Sequence, residues 1–387
     1  MSKNSEILII GAGLAGLNAA IICQAAGAEV RVIEASDRAG GRVASDVIDG
    51  FICDRGFQLI NSKYPALLEL NIVQELDFIA VPRVIEVALG QTRHAIGDPR
   101  QAPWTLLNKA TGSIPEKIFL LRFILTRAKR GESIGQALRG CGLTYERVLR
   151  PFLQGVFLIN PDQVDARYGH SIIKSFANGS LGVPRKGVGE FSAALARRVA
   201  TIEYNTRVDR IDAGVVHTSN GNYSADKILV ATDATTATQL LGLKEVPRMA
   251  GCITWYHSAS ENPSGTGRII VDGQNRGPIL NSVVMSDIST SYAPAGAHLV
   301  STTTGLKVTE SEVRRQLATM WGVNTHGWQL IAKYEIAAAL PVQSVGRSLS
   351  QSIKINEHHF VAGDHRTVPS QQGALFSGRL AAQLMLD

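Results

Sequence analysis

Three glycines stand in the run Gly11-Ala12-Gly13-Leu14-Ala15-Gly16, and a carboxylate, Glu34, with Ala35 beside it, follows further on. Residues of these types at this spacing can hold a dinucleotide. Gly11 permits a tight turn, Gly13 lets a pyrophosphate approach the backbone, and Gly16 lets a helix pack closely on a strand; N–H groups at the helix start then face the phosphates. Glu34 can accept from both hydroxyls of an adenosine ribose, and its charge repels a 2′-phosphate. Gly40-Gly41-Arg42 and Gly56-Phe57-Gln58 come next. A nicotinamide enzyme has no need of that glycine pair and arginine. A flavin enzyme does, because Gly40 and Gly41 make a close backbone turn and Arg42 sets a planar fork of donors against pyrophosphate charge. Near the C-terminus Gly363-Asp364 offers a carboxylate suited to ribityl hydroxyls. Gln372-Gly373-Ala374 opens a helix whose N-terminus suits the negative charge on a reduced flavin's pyrimidine ring.

These residues need elements to place them. The apolar run 6–10 reads as a buried parallel strand, 14–26 as a small-residue helix ended by Gly27, and 29–34 as a second strand, which together make a βαβ unit. Phe360-Val361-Ala362 reads as another strand end, with Asp364 at its mouth and Leu375, Leu380, Ala381 and Leu384 on the helix beyond. Gly187-Val188-Gly189 precedes a helix, but Ser180-Leu181-Gly182-Val183-Pro184 does not read as a strand. A second, nicotinamide-binding βαβ unit is therefore not expected.

With these motifs the chain resembles the FAD-dependent oxidoreductases that include flavin amine oxidases, protoporphyrinogen oxidases and phytoene desaturases. Arg150–Phe157, Val183–Gly189, Lys227–Thr232 and Val361–Arg379 extend the resemblance over the whole chain, and the last is closest to the desaturases. It implies an α/β fold: a Rossmann-type, glutathione-reductase-like FAD domain from residues 1–75, 184–245 and 350–387, with a discontinuous α+β substrate domain from 76–183 and 246–349. It implies that Gly56, Phe57 and Gln58 lie beside the isoalloxazine, that Val208 meets the adenine, that Arg38 lies near the adenosine, and that Ala231 belongs to the site's late strand. Some relatives attach flavin through a late cysteine, and no cysteine follows Cys252, so FAD is expected to be non-covalent. Relatives are often dimers, which makes a homodimer an open expectation.

Composition narrows the class. The chain has 387 residues, 45% hydrophobic and 19% charged, enough to bury a sizeable core in about two domains. Cys23, Cys53, Cys141 and Cys252 stand far apart, which fits reduced thiols in a cytoplasm and neither a disulfide scaffold nor a metal site. Eight Lys/Arg against three Asp/Glu between Glu116 and Arg150 account for most of the net +6, and no aromatic–basic alternation suggests nucleic acid. Glu6, ahead of the N-terminal apolar run, does not fit a secretory leader. Ile118–Leu125 with Arg127, Lys129 and Arg130 reads as a substrate-domain helix or as a segment that dips into a membrane surface; association is peripheral at most.

The expected reaction is dehydrogenation of a hydrophobic small molecule by hydride transfer to flavin N5, with oxygen or a quinone as electron acceptor. Amine oxidation is the alternative. It lacks two marks that the resemblance would supply, a lysine on strand 250–256 and an aromatic residue before Gly373, where Gln371 and Gln372 stand. A flavin-binding protein without turnover is a third reading. His365 is a candidate base that fits a structural role as well, while His170, His358, His359 and Glu190 read as ordinary surface residues. Trp255, Tyr256 and Tyr334 fit either a tunnel wall or core packing.

Overall fold

The computed structural model describes residues 3–212 and 214–387. Strand β1 (Lys3–Ile10), helix α1 (Leu14–Ala25) and strand β2 (Val30–Ile33) form the N-terminal βαβ unit, with β1 and β2 parallel. β1 also pairs in parallel with Gly221–Val230, whose far end carries His359–Val361 in parallel and whose near end turns antiparallel to Val215–Thr218. Ile7 to Ile10 are all buried because helices cover both faces of this sheet. Each such aliphatic side chain contributes about 2 kcal/mol relative to exposure. The C-terminal helix Gln371–Leu386 packs on α1 at close range, and a Cβ at Gly378 would lie 2.1 Å from the Ala15 carbonyl oxygen. Glycine at 378 is what lets the two helices touch.

A second seven-stranded sheet runs in the order Gln329–Pro341, Met249–Ala259, His298–Thr304, Ile279–Val284, Ile270–Asp272, Val84–Leu89, Thr92–Gly97. The helix Glu310–Trp321 covers one face, burying Ile253 and Trp255 against Val313, Leu317 and Met320. Trp255 is thus a core residue rather than a tunnel wall. Tyr256 is fully buried with its hydroxyl on the Asp54 carbonyl, and Tyr334 donates to Asp46, so packing and hydrogen bonding account for all three aromatics. A helical group, Ile114–Leu125, Arg150–Phe157 and Ala166–Asn178, shares its own core of Phe123, Leu153, Phe157, Tyr168 and Ile172.

One expectation is corrected. Leu181–Pro184 is a strand, the middle one of a three-stranded antiparallel sheet with Ile60–Asn61 and Phe78–Ala80. Its glycine and proline mask it in the sequence. Gly182 is needed because a Cβ there would lie 2.2 Å from the Ile79 carbonyl oxygen, and Pro184 closes the strand's end. The strand is antiparallel to both neighbours, so it builds no second βαβ unit. Nearby, fully buried Asp54 ties distant segments together by accepting from Ser45 Oγ (2.5 Å), Val188 N (3.0 Å) and Tyr292 Oη (3.2 Å).

Candidate active site

The glycine turn follows from steric need. Gly11 has φ +105°, donates its N–H to Ile33, and would place a Cβ 2.9 Å from the Ala231 carbonyl oxygen. A Cβ on Gly16 would stand 2.0 Å from the Gly11 carbonyl oxygen. A Cβ on Gly13 would meet nothing within 4 Å, and one on Gly41 only Gly13 Cα, at 3.8 Å. Gly13 is also the N-cap of α1, with no side-chain cap, so the first-turn N–H groups lack a side-chain partner at the open side. The result is a bare backbone cradle at a helix N-terminus, the setting in which an anion is stabilised.

Glu34 stands at the cradle's edge, accepting from Ala12 N (2.8 Å), Ser36 N (2.9 Å) and Ser36 Oγ (2.8 Å). Arg42 forms a bidentate pair with Asp364 at 2.9 and 2.6 Å and also donates to the Ala339 carbonyl (2.7 Å). The Asp364 carboxylate holds the guanidinium above its ordinary pKa. The Gln58 amide donates to the Arg42 carbonyl (2.8 Å) and accepts from Gln371 Nε2 (3.2 Å), while Gln371 Oε1 is buried with no hydrogen-bond partner among the described residues.

These groups line one cavity of about 1160 Å³. Gly11, Gly13, Leu14, Ala15, Glu34, Ala35, Gly40, Gly41, Arg42, Gly56, Phe57, Gln58, Val208, Ala231, Gly363, Asp364 and Ala374 are all on its wall. Ala12, Gly16, Arg38, Gln372 and Gly373 are not. Ala12 reaches the site through Glu34, and Gly16 serves packing. Gln372 turns away to accept from Ala66 N (3.2 Å), leaving Gln371 as the amide on the wall. Gly373 is needed sterically, since a Cβ there would lie 1.8 Å from the Val368 carbonyl oxygen; its N–H is capped by Ser370. His365 is off the wall as well. Its ring is buried against Gly363, and burial pushes it down to about 4, so it is neutral near neutral pH.

The cavity continues past Gln371 into an apolar lobe. Ile85, Leu120, Ile124, Phe152, Val156 and Phe176 belong to its wall, and nothing in their sequence spacing marked them as one surface. Arg83 and Arg100, both on the cavity wall, are paired with Asp98. Burial pushes the Cys252 thiol up to about 11, Tyr168 gives its hydroxyl to the Pro369 carbonyl, and Lys117, its pKa lowered by burial, donates to the carbonyls of Thr105, Leu106 and Asn108. The whole volume lies above the roughly 300–1,000 Å³ of a single drug-sized ligand.

The profile of the flavin-containing amine oxidoreductases matches residues 14–386. The chain belongs to that family. As a member it is a flavin-dependent oxidoreductase, with the family's mixed α/β fold. It is 25% identical over 437 residues to a hydroxysqualene dehydroxylase from Rhodopseudomonas palustris, an alignment covering 100% of this chain and 99% of that protein. It is 40% identical over 94 residues to a putrescine oxidase from Kocuria rosea, which covers 23% of this chain and 19% of the oxidase. An oxidoreductase structure from Methanosarcina mazei superposes with a TM-score of 0.77 at 17% identity, covering 97% of this chain and 99% of the other, and so shares its fold.

Proposed function

We propose that this flavin-dependent oxidoreductase binds FAD non-covalently and dehydrogenates a long, apolar, isoprenoid-like molecule. The observation that carries this reading is the continuity of one cavity from the glycine cradle into an apolar lobe. The cradle fits a dinucleotide: a Cβ-free gap between Gly13 and Gly41, an uncapped helix start, and a carboxylate placed for a ribose. The Rossmann-type, FAD-binding part is assigned to residues 1–75, 184–245 and 350–387 and the substrate-binding part to 76–183 and 246–349, a division supported by the separation of the two seven-stranded sheets.

When bound, FAD would supply the two-electron acceptor for hydride from carbon, with oxygen or a quinone as the final electron acceptor. The protein's residues bind and orient. Glu34 would hold the ribose hydroxyls, and the first-turn N–H groups of α1 would face the pyrophosphate. Arg42, its fork engaged by both Asp364 oxygens and the Ala339 carbonyl, would stand on the wall beside it. That leaves neither Arg42's fork for the pyrophosphate nor Asp364 for the ribityl hydroxyls, as the sequence suggested. Gln58 and Gln371, linked to each other, form a polar wall between the cradle and the lobe. The apolar lobe, aliphatic and aromatic together, would exclude water and align the chain. The substrate gives up two hydrogens, one as hydride and one as a proton.

A second reading draws on the full-length dehydroxylase relative. In it a carbon–oxygen bond breaks, water leaves, and an external two-electron donor supplies the hydride. The amine reading has less support, because Gln371 and Gln372 stand where the resemblance would place an aromatic residue and the strand Met249–Ala259 carries no lysine.

No helix among the described residues is long and apolar enough to cross a membrane. The cavity mouth supports peripheral docking on an anionic bilayer. Leu121 and Leu125 are on the cavity wall and are also 42% and 86% exposed, and Trp104, Leu107 and Ile118 are exposed beside them. Lys109, Arg122, Arg127, Lys129 and Arg130 surround this patch, all exposed and with no carboxylate partner among the described residues.

The test is anaerobic bleaching of bound flavin by polyenes and isoprenoids in detergent, beside primary amines and polyamines, after acid release has identified the chromophore. Bleaching by isoprenoids alone is expected. Bleaching by amines alone would overturn the substrate reading, and release of FMN would overturn the dinucleotide reading.

A further inference from the structure

One face of the second sheet contributes to the cavity wall, and of its neighbouring polar residues Asn281, Thr303 and Thr254, the first two are on that wall. Asn281, on Ile279–Val284, and Thr303, on His298–Thr304, are directly paired across neighbouring antiparallel strands and so share a face. Both are on the cavity wall, and they are only 9% and 4% exposed. Neither Asn281 Oδ1 nor Thr303 Oγ1 has a hydrogen-bond partner among the described residues. Buried polar atoms without a partner are uncommon and destabilising, because the water they lose is not replaced. Both residues line the cavity, so a small turn of either side chain would present its oxygen to a polar atom of a bound molecule.

The helix Arg150–Phe157 leaves room for the amide. It presents Gly155 to Asn281, and a Cβ at that glycine would lie 2.7 Å from Asn281 Nδ2. The same helix presents Phe152 and Val156 to the lobe, so the polar pair is bordered by apolar surface. The donor and acceptor types select further. Asn281 Oδ1 only accepts, while the Thr303 hydroxyl can donate. A hydroxyl satisfies both, donating to the asparagine and accepting from the threonine. A hydrocarbon leaves both unpaired, and an ammonium would lose its water for a mostly apolar wall.

We propose that Asn281 and Thr303 form a subsite for a single hydroxyl group on an otherwise apolar substrate, and so set the enzyme's choice between isoprenoid alcohols and hydrocarbons. The proposal rests on reading the lobe as the substrate site.

The flavin-loaded, full-length protein is titrated with farnesol and with farnesene, and dissociation constants are read from the perturbed flavin absorbance. Wild type should bind the alcohol more tightly. Asn281→Leu and Thr303→Val should each lower the alcohol-to-hydrocarbon affinity ratio about tenfold, mainly by weakening the alcohol. Gly155→Ala, which favours the helix while crowding the Asn281 amide, should lower the ratio in the same direction and serves if a direct variant fails to fold. Wild type binding both ligands, with a ratio that none of the variants changes, would overturn the subsite and leave the apolar-substrate reading standing. Wild type responding to neither ligand would overturn that reading and the subsite with it.

Discussion

Alanine at Gly13 and at Gly16, one at a time, should separate two roles within a single turn. At Gly16 the new methyl would begin 2.0 Å from the Gly11 carbonyl oxygen, where ordinary contact starts near 3.4 Å. The turn cannot retreat freely, because the Gly11 N–H is held on the Ile33 carbonyl at 2.8 Å. Such overpacking costs about 3 kcal/mol, offset by about 1 kcal/mol of helix propensity gained over glycine, so the net loss is about 2 kcal/mol. At Gly13 the backbone (φ −75°, ψ 178°) suits any residue and a Cβ meets nothing within 4 Å. Stability should then change by less than about 1 kcal/mol. The methyl does enter the open space at the helix start, where the proposed phosphate cradle lies. Losing one charge-assisted hydrogen bond there is worth about 1.5–3 kcal/mol, or roughly 10–100-fold in the flavin's Kd. Urea unfolding of the flavin-free protein, followed by tryptophan fluorescence, measures the first effect, and flavin titration measures the second. A Gly13→Ala protein with wild-type flavin affinity would refute the cradle assignment. A Gly16→Ala protein as stable as wild type would refute the packing argument.

Three further expectations follow from the geometry. Arg42→Met strands the Asp364 carboxylate, only 6% exposed, and should cost about 3 kcal/mol, at the low end of the range for a broken buried pair because Arg42 itself is 39% exposed. Asp364→Asn leaves an arginine that reaches solvent and should cost about 1 kcal/mol; equal losses in urea unfolding would contradict this asymmetry. Burial raises Asp54 from 3.8 to about 6, so its contribution to stability is full below the unfolded value and is lost as pH rises through the folded one. The stability of wild type minus that of Asp54→Asn should thus fall by on the order of 2 kcal/mol between about pH 4 and pH 6 and stay level above, and a flat difference would count against a protonated Asp54. Leu107→Glu combined with Ile118→Glu should abolish flotation with vesicles of about 30 mol% anionic lipid while keeping bound flavin, and added salt should release wild type; unchanged flotation would show that another face docks.

Much of the glycine turn was legible in the sequence because its constraints are local. Gly11, Gly13 and Gly16 sit in one turn, and the demands on each come from atoms within that βαβ unit or just beside it. The strand Leu181–Pro184 was not legible. The features that suit it to its place, a glycine for close approach and a proline at its end, are the ones that argue against a strand when neighbours are unseen. Gln372 and Gln371 pose the same difficulty in miniature, since adjacent identical amides differ only in which way the helix start turns them.

The sequence by itself determined that the chain builds a βαβ unit with a bare glycine turn, followed by a carboxylate at the end of the second strand, because backbone freedom at glycine and the βαβ order are properties of consecutive residues. It also determined that the region around Ile118–Leu125 is apolar and basic together. Only the tertiary structure decided that Arg42 meets Asp364, that Gln58 meets Gln371, and that His365 faces away from the cavity. Only the strand register placed Asn281 beside Thr303 on the cavity wall. An asparagine and a threonine in separate strands look unremarkable along the chain. Whether their polar atoms are satisfied depends on pairing and burial, which arise when distant segments pack.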